Sequence, residues 1–95
     1  MNIDKKIIRQ AIDVWGLQKQ TRMCGEECLE LALAIGKFLD RERTDQRMED
    51  VISEIADVNI MIAQANIMFD ADKIQAEIDR KLERLKSRLE KKEFK

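Results

Sequence analysis

The sequence predicts an all-α protein, a four-helix, antiparallel, bundle-like protomer that assembles into an oligomer. Three observations carry this expectation. There is no Pro, no Tyr and only three Gly among 95 residues, too few turn residues for a set of β-hairpins. Hydrophobic residues make up 44% and charged residues 39% of the chain, a balance typical of amphipathic helices. Apolar residues recur at three- and four-residue intervals along four successive segments. A chain of this length forms one domain, residues 1–95.

The first helix is expected from about Asn2 to Val14, with Ile3, Ile7, Ile8, Ala11, Ile12 and Trp15 at helical spacing and Asn2 or Asp4 as N-cap. Gly16 supplies its stop. The second helix runs from Leu17 to Leu39. Successive side chains advance by about 100°, so Met23, Leu31, Ala34 and Phe38 fall within roughly 40° of Glu27. Glu27 therefore stands in the middle of an apolar stripe. Glu30 lies about 60° away on the same side, and Glu26 lies further round towards Lys37.

The polar joint Asp40 to Asp45 leads into a third helix, capped by Thr44 and reaching about Phe69. Here Val58, Met61, Ala65 and Phe69 share the stripe of Glu54, with Asp57 at its edge. Ile52, Ile60 and Ile67 lie opposite, so the helix is apolar nearly all round, which suits burial in an oligomer. Asp70 or Asp72 caps the fourth helix, whose Ile74, Ile78, Leu82, Leu85 and Leu89 form a narrow seam edged by Lys81, Arg84 and Arg88. The last residues, KKEFK, are expected to fray.

The formal charge is −1, which gives no global field for nucleic-acid binding. Residues 1–69 hold 9 basic and 12 acidic side chains and residues 70–95 hold 9 and 7, so an acidic body carries a mildly basic last helix. Cys24 and Cys28 stack on one helix face at a spacing unsuited to an intrahelical disulfide, and both read as reduced packing residues. No leader pattern and no apolar run near about 18 residues is found. The expectation is a cytoplasmic protein with no membrane partner.

Two acidic motifs carry the chemistry: Glu26, Glu27 and Glu30 as E-E-x-x-E, and Glu54 and Asp57 as E-x-x-D. Residues three apart on a helix have Cβ atoms about 5–6 Å apart and can ligate one ion together. Antiparallel packing of the second and third helices turns both pairs inward. Glu-rich helices usually owe their acids to a solvated face; these acids stand instead on the apolar stripes of two successive helices. Such a cluster is costly unless protons or cations neutralise it. With oxygen ligands only and no His in the chain, magnesium is the natural cation and manganese its substitute. The lack of His also excludes E-x-x-H di-iron sites, H-E-x-x-H zinc proteases and His-based triads. Phosphoryl chemistry, which relies on metals and positioning, remains open.

The run MCGEECLELALAIGKFLDR, followed by EIADVNIMIAQ and then KLERLKSRL, resembles the MazG-like all-α nucleoside triphosphate pyrophosphohydrolases, particularly the short phage-related ones. The similarity extends from about Trp15 to Leu89. It implies hydrolysis of (d)NTPs between the α and β phosphates, giving a nucleoside monophosphate and pyrophosphate. Glu27, Glu30, Glu54 and Asp57 would be the magnesium ligands, with Glu26 an auxiliary acid that orients or activates water. The resemblance also implies a dimer or a dimer of dimers, with sites built at subunit contacts. Gly25, inside the helix before the glutamates, departs from good helix-forming sequence, and the larger relatives' tandem arrangement has no counterpart here.

Lys37, Lys81, Arg84 and Arg88 are the candidate phosphate-binding cations, the last three reaching across from a neighbouring subunit, although a solvated helix flank is the commoner role for such residues. Trp15 and Gln18 precede the acidic motif, where an indole can stack on a base and an amide can read its edge; a lone Trp is more often core. The competing reading is a non-catalytic helical oligomerisation or regulatory module whose acids are structural.

Overall fold

The computed structural model describes residues 2–92, and those residues form four helices and no strand. They are α1 (Lys5–Trp15), α2 (Leu17–Asp40), α3 (Asp45–Met68) and α4 (Ala71–Lys91). The expected caps hold them. Asp4 accepts from the Lys6 N–H, Thr44 from the Arg47 N–H, and Asp70 from the Asp72 and Lys73 N–H groups. Asp4 rather than Asn2, and Asp70 rather than Asp72, are the residues used, because each stands directly before its first helical residue. Lys92 closes α4 in the left-handed conformation, φ 58°. The expected fraying of KKEFK falls on residues 93–95, outside the described residues, and on Lys91 and Lys92, which still cap a helix.

Gly16 joins α1 to α2 with φ 87° and ψ 159°, and its N–H donates to the Ile12 carbonyl. That backbone conformation is open to Gly and costly for other residues. One residue thus ends one helix and starts the next, which sets the angle between them.

The long helices α2 and α3 lie antiparallel and make the principal contact of the protomer; α1 rests against both. α4 touches only α3, so the fourth helix does not close a bundle within one chain. The radius of gyration is 16.2 Å, whereas a compact chain of this length has about 12 Å. Among the apolar side chains of the described residues only Ile8 and Met61 are buried. On the stripe of α3 Met61 is buried and Val58 and Ala65 are half-buried, but Phe69, expected on the same stripe, is 52% exposed just past the helix end; Ile52, Ile60 and Ile67 on the opposite side are exposed. Trp15, expected to be core or to stack on a base, is 56% exposed. The accessible surface is 7884 Å², against about 5,700 Å² for a compact monomer of this mass.

α3 is 24 residues long, and its most apolar stretch has a mean hydropathy of 1.2, enough by length and composition to cross a membrane. An unbroken apolar run is therefore too strict a criterion here, since α3 reaches that mean with Glu54 and Asp57 in its sequence. A helix placed inside a helical assembly has the same composition.

Replacing Gly16 by Ala is expected to lower unfolding stability in urea by about 1–3 kcal/mol. Gly25→Ala is expected to raise it by up to about 1 kcal/mol, since nothing lies within 4 Å of a Cβ added there.

Candidate metal centre

The antiparallel pairing of α2 and α3 brings the two acidic motifs together. Carboxylate oxygens of Glu27, Glu54 and Asp57 all lie within 4.8 Å of one another. Glu27 and Glu54, centred on the apolar stripes, are half-buried between the two helices, whereas Asp57 is exposed at the edge of its stripe. Glu30 is exposed but lines the same pocket as Glu54. Glu26 is exposed on the flank of α2.

The electrostatics are those of crowded like charges. The Glu27 carboxyl is held above its ordinary range first by burial, then by Asp57, Glu54, Glu30 and Glu26. Glu54 is raised in the same way, by burial first and then by Asp57, Glu30 and Asp50. Its Oε2 atom is buried with no hydrogen-bond partner. A buried carboxylate oxygen without a donor needs a proton or a cation. Among the described residues the single ion pair, Arg80 with Glu77 at 2.9 Å, is on α4 and relieves none of this repulsion. The donor set is entirely oxygen, which suits a hard cation such as Mg²⁺ or Mn²⁺. The fit therefore rests on three convergent carboxylates and one orphaned oxygen. Cys24 and Cys28 are free thiols beside the motif; Cys24 is half-buried, but Cys28 is exposed rather than packed, and burial and then Cys28 hold the Cys24 thiol above its ordinary range.

A pocket of about 190 Å³ adjoins the carboxylates, lined by Glu30, Lys37, Arg47, Asp50, Ser53 and Glu54 together with Leu33 and Ala34. It sets two cations beside the acids. Lys37, one of the candidate cations, lines it. Arg47 is a residue that the sequence reading missed: it lies in the first turns of α3, two turns before Glu54 on the same side, with Nη1 donating to the Glu42 carbonyl at 2.6 Å.

The remaining candidates lie elsewhere in the protomer. Trp15 and Gln18 share an open groove at the α1–α2 joint with Leu17, Lys19 and Arg22, and that groove has no residue in common with the carboxylate pocket. Lys81 borders an apolar groove at the α3–α4 joint, formed by Phe69, Ile74 and Ile78. Arg84 is exposed and Arg88 half-buried on α4, which has no contact with α2. A single chain therefore does not bring the three α4 cations to the acids.

Comparison of the chain with protein-family profiles, curated proteins and solved structures gives no match.

Because the folded state holds protons on Glu27 and Glu54 more tightly than the unfolded chain, their contribution is fully present below the ordinary pKa of 4.5 and is lost as pH rises through the folded values. The metal-free melting temperature is expected to fall as pH rises from 4.5 towards neutrality, and Glu54→Gln to flatten that fall. Added Mg²⁺ is expected to raise the melting temperature at neutral pH but not in acid, where protons already neutralise the cluster. Differential scanning fluorimetry across pH, with and without the cation, checks both.

Proposed function

We propose that this chain is a Mg²⁺-dependent nucleoside triphosphate pyrophosphohydrolase of the MazG-like type, acting in nucleotide-pool house-cleaning. The observation that carries the proposal is the meeting of Glu27, Glu54 and Asp57 across α2 and α3, with one oxygen unsatisfied and Lys37 and Arg47 beside it. An anionic site next to a cationic pair suits a ligand that carries both metal and phosphate. The motif resemblance supplies the position of cleavage.

Glu27, Glu30, Glu54 and Asp57 would hold the cation. When bound, Mg²⁺ supplies charge neutralisation of the triphosphate and acidification of a water. The chain's own residues do the rest. Lys37 and Arg47, at the end of the pocket away from Glu27, bind the departing phosphates. Glu26, exposed beside the cluster, accepts the proton of the attacking water. Water oxygen bonds to the α phosphorus, the α–β bridging bond breaks with its electron pair on pyrophosphate, and a nucleoside monophosphate remains.

Assembly completes the proposal. The surface in excess of that of a compact monomer is on the order of 2,000 Å², the size of an obligate subunit interface. A dimer or dimer of dimers would cover the Leu82, Leu85 and Leu89 seam, which is exposed in the protomer. It also offers a route by which Lys81, Arg84 and Arg88 of one copy approach the acids of another, and by which Trp15 and Gln18 meet the base. The protein is proposed to be cytoplasmic, with neither nucleic acid nor membrane as partner. The same exposed seam favours the second reading, a helical oligomerisation or regulatory module without catalysis.

A panel of common and modified (d)NTPs with Mg²⁺, analysed for monophosphate and pyrophosphate, separates the readings. Glu54→Ala is expected to abolish pyrophosphate release with helical content intact. Arg47→Ala is expected to lower kcat/KM by about tenfold or more, as loss of a charge-assisted phosphate contact does. Orthophosphate as the product, or no turnover of any nucleotide, counts against the enzyme reading. Light scattering should give a mass of at least two chains.

A further inference from the structure

We propose that the Gln20–Gln64 hydrogen bond fixes the register of α2 against α3 in which Glu27, Glu54 and Asp57 meet, so that the two glutamines are positioning residues for the carboxylate site. The functional consequence rests on the metal-site reading; the register itself does not.

Gln20 Nε2 donates to Gln64 Oε1 at 2.6 Å across the seam. The two side chains are 5% and 3% exposed, as buried as Ile8 and Met61. Two amides are an unexpected choice for so small an interior, because a buried amide is tolerated only when it finds its partner. The remaining contact of Gln64, from Nε2 to Met61 Sδ at 3.7 Å, is a weak one. Each glutamine thus depends on the other.

The register links this pair to the acids. Seven residues separate Gln20 from Glu27 on α2, and seven separate Asp57 from Gln64 on α3. Equal steps in opposite directions place the amide bridge two turns from the carboxylates along one antiparallel seam. Sliding one helix by a turn, about 5.4 Å, would part the amides and the acids together. The residues in between hardly oppose such a slide. Met23 and Met61 hold the intervening register position, and methionine repacks readily. Three carboxylates whose oxygens lie within 4.8 Å of one another add no attraction that would hold the register. A directional bond whose loss orphans two buried amides opposes the slide, as a buried polar residue fixes register in a coiled coil.

The test uses Q20L, Q64L, the double variant Q20L/Q64L and, as a control, Q64E, which keeps an acceptor oxygen for Gln20 Nε2. Mn²⁺ affinity is read by electron paramagnetic resonance, stability by melting without metal, and register by methyl NOEs between α2 and α3 without metal. The double variant is expected to melt at or above the wild-type temperature, to bind Mn²⁺ about 10- to 100-fold more weakly, and to give more than one set of interhelical NOEs. Each single variant is expected to lose as much affinity as the double, because either change breaks the bridge. Q64E is expected to keep the single wild-type set of NOEs despite a lower melting temperature. A double variant with wild-type NOEs and wild-type Mn²⁺ affinity overturns the proposal, as does a Q64E protein whose register scatters like that of the leucine variants. Should wild type bind no Mn²⁺, the metal reading fails while the NOEs still decide the register.

Discussion

Like charges held together across a helix seam are the constraint on which this protein's organisation depends. Glu27 and Glu54 belong, by helical position, to the stripes that α2 and α3 bury against each other. Packing these helices by their apolar faces therefore forces carboxylates into contact, with Asp57 alongside. Burial and mutual repulsion raise the proton affinity of both glutamates, and one oxygen of Glu54 has no donor. A seam of this kind costs stability. Leucine in place of Glu54 would remove the cost without disturbing the helical pattern.

Other polar groups stand along the same seam. The Gln20–Gln64 bond lies towards one end, and Lys37 and Arg47 lie at the other, in the pocket that Glu30 and Glu54 share. The same two helices thus present amide, carboxylate and cation in succession. The rest of the chain is sparsely packed by comparison. α4 reaches away from α2, and its leucine seam is exposed. Among the described residues Ile8 and Met61 are the fully buried apolar side chains, and the other apolar residues stay half-buried or exposed within one chain. A second copy that covers α4 would supply both the missing burial and further cations.

Much of this was legible in the sequence. Thr44, Asp70 and Gly16 announce their helix ends through local chemistry, and helical periodicity places Glu27 and Glu54 on buried stripes without knowledge of any partner. Features that depend on the pairing of helices were not legible. Arg47 reads as one more charge in a solvated turn until the antiparallel register puts it beside Lys37. Gln20 and Gln64 read as surface polar residues until each is seen as the partner of the other. Trp15 reads as core by residue type, yet it ends α1 at a joint that no other helix covers. The four helices are as the sequence predicts, but the spacing of α4 specifies an apolar seam without saying whose seam it meets.

The carboxylates of α2 and α3 are proposed to hold a divalent cation. Anomalous diffraction from crystals grown with Mn²⁺ tests this most directly. A manganese peak bounded by Glu27, Glu54 and Asp57, absent in Glu54→Ala, is the predicted result. Crystals with no peak there, and with the Glu54 oxygen satisfied by a protein donor from a second copy instead, would contradict it.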